Sequence, residues 1–239
     1  MQEYEVSPEG RRERKKRETL LALKAAALDL ISERGFNNVT VEDIANAVDV
    51  SVRTFFNYFS SKEAALVGES PETVASLQEQ LLELPADVPP VEALRTVLMG
   101  RVGTMDAEGH DHGAWLRRFS AVRSQPEVML AYSKHLATIE RALADALVKR
   151  LGGDERLRGY ASLVTACTLS AVKVAGSVWA SQGGACPMRE VTEAALDLLA
   201  RGFPIDQSAL DEGAVPEALN YLAGPCGTAY QPAPEVRTA

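Results

Sequence analysis

Apolar residues recur at three- and four-residue spacing along most of this 239-residue chain, and beyond Pro90 no stretch alternates with period two for long enough to suggest a sheet. That periodicity predicts an all-α fold. Leu20, Leu23, Ala27, Leu28 and Ile31 define a first helix over about 12–34, which Gly35 stops. Thr40 with Asp43 makes a cap-like start for a short helix through Ile44, Ala45 and Val48, and Ser51 offers a second N-cap for 52–58. Ser61 caps a fourth helix, and Ser70-Pro71 bends or restarts it before Leu77, Leu81 and Leu84. Further helices are expected over 91–105, 114–124, 126–151, 155–182 and 189–202. After Phe203, repeated prolines predict a loosely ordered tail.

Composition removes several function classes. At 46% hydrophobic and 24% charged, the chain is ordinary globular material. Cys167, Cys186 and Cys226 are odd in number and form no CxxC pair, which argues against a disulfide framework and a zinc site. His110-Asp111-His112, near Asp106 and Glu108, lacks defined ligand spacing and reads as an exposed polar connection, so no metal is assigned. The longest uncharged helical stretch, 159–172, is short of the roughly 20 residues a membrane span needs. The basic N-terminus precedes no apolar segment or cleavage site, and a cytoplasmic protein is expected. No phosphate loop, dinucleotide fingerprint, HExxH or GxSxG occurs, so neither an enzyme nor a cofactor is expected.

A net charge of −8 argues against a nucleic-acid partner until its distribution is considered. Between Arg11 and Lys62 stand ten Lys or Arg and seven Asp or Glu, a local +3 against −11 for the rest. The run Arg11, Arg12, Arg14, Lys15, Lys16 and Arg17 opens the first helix, where cations oppose the macrodipole. A solvated arm and a phosphate contact both remain open for it. Three helices, the second and third short and joined by a tight turn behind a basic arm, follow the plan of a helix-turn-helix DNA reader. In SVRTFFNYFSSKE, Arg53, Thr54 and Tyr58 put hydrogen-bonding groups on a helix about two turns long, suited to a major groove about 12 Å wide. Phe55 and Phe59 lie on its other side, with Leu28, Val39, Ile44 and Val48 as expected core partners. Lys62, beside the Ser61 cap, places a cation at a helix N-terminus, which suits a phosphate.

Residues 33 to 66, ERGFNNVTVEDIANAVDVSVRTFFNYFSSKEAAL, resemble the TetR family of bacterial transcriptional regulators. The resemblance implies an all-helical homodimer whose N-terminal domains bind a palindromic DNA operator and whose divergent C-terminal domain holds a small-molecule effector. Thr40, Val52, Arg53, Thr54, Phe56, Tyr58 and Lys62 fall where members of the family usually touch DNA. Two residues depart from the pattern. Asp49 replaces the Gly common in the turn, and Asp tolerates left-handed angles better than most residues. Phe56 stands where Tyr is frequent, which removes one possible phosphate contact.

The expected organisation is a basic arm and helix-turn-helix domain over 1–62, a helical ligand-binding and dimerisation domain over 63–203, and a tail over 204–239. Met99, Met105, Trp115, Phe119, Met129, Tyr132 and Trp179 are candidates to line an effector cavity, with plain core as the alternative. Lys173 is a candidate for a ligand carboxylate or a buried acid, unless it extends its ammonium to water. Leu163, Ala166, Cys167, Ser170, Ala171, Val174, Ala175 and Val178 are expected on one face of their helix, and the last two long helices are expected to form a two-fold contact. The leading reading is a ligand-responsive repressor; the alternative is a helical carrier or enzyme that retains a relic helix-turn-helix unit.

Overall fold

The computed structural model describes residues 10–68, 70–107, 113, 116–117, 120–121 and 124–202. Among them the regular structure is helical throughout. The expected tail, the His110-Asp111-His112 loop and much of the expected 114–124 helix lie outside the described residues. The chain forms two compact units, Met1–Pro71 with Ser120–His135, and Glu72–Phe119 with Leu136–Ala239.

In the first unit, helix α1 (Arg11–Arg34) ends at Gly35, whose φ of 82° lies in the region that favours glycine. A 3-10 turn, Phe36–Asn38, leads to α2 (Val41–Ala47), then α3 (Val52–Phe56) and α4 (Lys62–Val67). Helix α1 packs on α2 and α4, and α2 on α3. The buried residues follow the helical spacing: Leu23, Ala27, Leu28 and Ile31 from α1, Ile44 and Ala45 from α2, and Phe55, Phe59 and Leu66 beyond them. Helix α3 is shorter than expected. Asn57 and Tyr58 form a turn rather than a second helical turn, yet Phe59 is still brought into the core.

Three later helices open on proline, α5 (Pro71–Glu83), α6 (Pro90–Ala107) and α7 (Pro126–Arg150). The first turn has no use for the missing N–H, so the residue that would break a helix starts one. With α8 (Arg158–Ser181) and α9 (Met188–Ala200) they supply two core clusters in the second unit. One joins Leu77, Leu81, Leu94 and Val97 to Leu143, Leu147 and Leu169; the other joins Val102, Ala175 and Trp179 to Met188, Val191 and Ala195. At the end of α7, the Arg150 guanidinium donates to the carbonyls of Leu84 at 2.6 Å, Val88 at 3.1 Å and Pro85, which secures the α5–α6 connection. Arg95 of α6 reaches Asp197 of α9 at 2.5 Å and Glu193 at 3.5 Å.

Two further expectations require correction. The apolar face predicted for α8 is divided: Ala175 is buried, whereas Leu163, Cys167, Ser170 and Val174 are exposed. Its inward face is Ala161, Thr165, Thr168, Leu169, Ala175 and Trp179, because a helix this rich in small residues has no single hydrophobic direction for the core to select. Cys186 is disulfide-bonded, against the expectation from cysteine count, since spatial approach and not sequence spacing decides pairing. The stretch 155–181 is long and apolar enough by length and composition alone to cross a membrane, although it carries Glu155, Arg156, Arg158 and Lys173. Its buried face belongs to the cores of the second unit.

Candidate nucleic-acid interface

Each short helix of the first unit begins on a side chain that satisfies its free N–H groups. At α2, Thr40 Oγ1 accepts from the Asp43 amide at 3.1 Å, while Asp43 Oδ2 accepts from the Thr40 amide at 2.9 Å and from the Thr40 hydroxyl at 2.8 Å. These bonds, backbone first, hold the Asp43 carboxyl below its usual pKa, with Arg34 at 3.9 Å assisting. At α3, Ser51 Oγ accepts from the Thr54 amide at 3.0 Å and shares a hydrogen bond with the Thr54 hydroxyl at 2.8 Å. At α4, Ser61 Oγ accepts from the Ala64 amide at 3.2 Å.

Between α2 and α3 the chain turns at Asp49, where φ is 55°. The amide of Asp49 donates to Asn46 O at 3.2 Å and that of Val50 to Ala45 O at 3.0 Å, so the turn is hydrogen-bonded even though a non-glycine residue sits in the left-handed region. Helix α3 is then seated by its aromatics. Phe55 and Phe59 are buried with ring centroids 5.7 Å apart, and Phe56 meets Phe55 edge-on at 5.5 Å while remaining exposed. Burial of two phenyl rings is worth roughly 3 to 6 kcal/mol and sets the rotation of a helix too short to be stable alone.

The predicted contact residues occupy different environments on this scaffold. Arg53 and Phe56 are exposed, Val52, Thr54 and Tyr58 half-buried, and Thr40 exposed with its hydroxyl committed to Asp43. Among the described residues Arg53 makes no ion pair. Arg14, Lys15, Lys16 and Arg17 are exposed at the start of α1, and Arg14 lies 3.7 Å from Glu18. Lys62 is unlike the other cations. Its Nζ donates to Phe36 O at 2.7 Å and Val39 O at 2.9 Å, and stands 4.2 Å from the centroid of the Phe36 ring. Sequence reading missed this seat because the two carbonyls belong to residues 26 and 23 positions earlier.

The cavity candidates do not share one environment. Trp179 is a core residue whose indole N–H donates to Cys186 O at 2.7 Å. Nearby Gly184 has φ 67°, and a Cβ there would approach the Trp179 ring to 2.9 Å. Met99 is buried, while Met129 and Lys173 are exposed. Tyr132 is half-buried, and burial raises its phenol pKa. The side chains of Met105, Trp115 and Phe119 lie outside the described residues.

Comparison with known proteins agrees with this geometry. Residues 23–67 match "Bacterial regulatory proteins, tetR family", and residues 88–204 match "MftR C-terminal domain". The chain is 32% identical over 148 residues to the HTH-type transcriptional regulator TcmR of Streptomyces glaucescens, a match covering 61% of this chain and 66% of the relative. It is 30% identical over 146 residues to a putative mycofactocin biosynthesis transcriptional regulator, MftR, of Mycobacterium tuberculosis, covering 61% and 72%. The fatty acid degradation regulator FadR from Bacillus halodurans is similar in fold, with a TM-score of 0.50 at 18% identity over 84% of this chain and 100% of that one. A capped, aromatic-seated helix-turn-helix unit followed by a helical domain, matched in sequence at both ends, makes this chain a member of the TetR family of transcriptional regulators.

Proposed function

We propose that the chain is a homodimeric repressor that binds a palindromic operator through α3 and is released by a small-molecule effector. The observation that carries this reading is Arg53, exposed on a helix whose opposite side is fixed by buried Phe55 and Phe59. Thr40, Val52, Thr54, Phe56 and Tyr58 flank it as further contacts, and the exposed cations of α1 supply sequence-independent attraction to phosphate.

Two-fold pairing through the last two long helices completes the reading, because a half-site reader needs a symmetric partner. Helix α8 supports it with exposed Tyr160, Leu163, Cys167, Ser170, Val174 and Ser177 at three- and four-residue spacing. The exposed residues of α9 are Arg189, Glu190, Glu193 and Ala200, so α8 contributes the apolar part of the contact and α9 a charged edge. Effector release needs only that the ligand bind the non-operator arrangement better, by up to about 5.5 kcal/mol for a complete switch.

A gel-shift series on duplexes that the full chain selects from a random library tests the reading. Retention is expected to be sequence-specific and salt-sensitive, and Arg53→Ala should weaken it by about 1 to 3 kcal/mol without lowering the unfolding midpoint. Binding indifferent to sequence would overturn it. A thermal-shift screen of small molecules identifies the effector, since a ligand held only by the native state raises the midpoint.

A further inference from the structure

Lys62 is the first residue of α4, and its ammonium is directed back into the protein. Two of its three N–H donors serve the Phe36 and Val39 carbonyls, and the ring of Phe36 lies against the charge. Those carbonyls belong to the connection between α1 and α2, four residues and one residue before the Thr40 cap. Helix α3 is tied to α2 at its start by the hydrogen-bonded Asp49 turn, and at its end the chain runs through Tyr58 to Ser61 into α4. The Lys62 seat closes this path on itself. Charge-assisted hydrogen bonds to carbonyls are about twice as strong as neutral ones, and the site is partly shielded from water.

We propose that Lys62 is a positioning residue for operator binding: it fastens the start of α4 to the α1–α2 turn, so that α3 is held at both ends and Arg53 is presented at a fixed angle. The proposal rests on the reading of α3 as the operator-contacting helix. It differs from the expectation that Lys62 neutralises a DNA phosphate, and salt dependence separates the two. A residue that contacts phosphate contributes to the slope of log K against log salt, about 0.9 for each phosphate neutralised, whereas a residue that acts through α3 does not.

The experiment compares the full chain with Lys62→Met on a duplex selected by the unaltered protein, over a range of salt concentrations. Affinity is expected to fall roughly fivefold to tenfold with the slope unchanged. A slope shallower by about 0.9 per subunit, or an affinity that does not change, overturns the proposal. If Lys62→Met does not fold, Lys62→Arg is read in its place. Arg retains the charge and remains a good phosphate ligand, but its planar fork does not reproduce the ammonium seat; weaker binding at unchanged slope supports the proposal, and wild-type affinity overturns it. Hydrogen exchange without DNA gives an independent readout. Amides of residues 36–43 and 62–67 should exchange faster in the variant, and unchanged protection would overturn the fastening role. A wild-type chain that retained no duplex would instead count against the operator reading, while the exchange result still tested the seat.

Discussion

Thr40 and Asp43 cap α2 reciprocally, each receiving a hydrogen bond from the other's backbone N–H, at 2.9 and 3.1 Å. The arrangement holds the Asp43 carboxyl below its ordinary value of 3.8, chiefly through the Thr40 amide. A depressed carboxylate contributes stability that is fully present above the unfolded value and is lost as pH falls through the folded one. Acid titration of the unfolding midpoint should therefore show a loss below the ordinary carboxylate range that is smaller in Asp43→Asn. Identical acid profiles for the two proteins would exclude this cap as the source.

Phe55 and Phe59 should dominate the stability of the first unit. Phe55 is fully buried, so Phe55→Ala is expected to cost about 3 to 5 kcal/mol and to abolish operator binding. Exposed Phe56→Ala should alter stability by less than about 1 kcal/mol while still reducing affinity. Urea denaturation followed by circular dichroism distinguishes the two.

Asp49 sits in the left-handed region where a Cβ is strained. Asp49→Gly is expected to change stability by no more than about 1 kcal/mol, because relief of strain is offset by greater freedom of the unfolded chain. Asp49→Val, β-branched at the same angles, should lose about 1 to 2 kcal/mol or more. Equal midpoints for the Gly and Val variants would show that the turn is not constrained at this residue.

Leu163 and Val174 are apolar, exposed and three turns apart on α8. If this face carries the two-fold contact, Leu163→Glu with Val174→Glu should give monomers by light scattering, with helix content retained and operator affinity lost. A double variant that remained dimeric would place the contact elsewhere.

The legibility of the molecule differs between its two ends for a physical reason. Helix periods, caps at Thr40, Ser51 and Ser61, the stop at Gly35 and the four-residue spacing that puts Phe55 and Phe59 on one side are all features spanning three to five residues, and these could be read directly. The α8 face could not, because Leu163 and Ala175 look equally suited to burial until neighbouring helices select one direction.

By itself, the order of residues determined that the chain is helical, where its short helices begin, and which aromatic side of α3 turns inward, since each depends on local backbone geometry and on hydrophobic spacing. Tertiary structure alone decided that the Lys62 ammonium turns toward Phe36 and Val39, that Arg150 grips the α5–α6 connection, and that Cys186 is paired. Such contacts join residues far apart in sequence, and only packing of the intervening helices brings a donor within 3 Å of a carbonyl so distant along the chain.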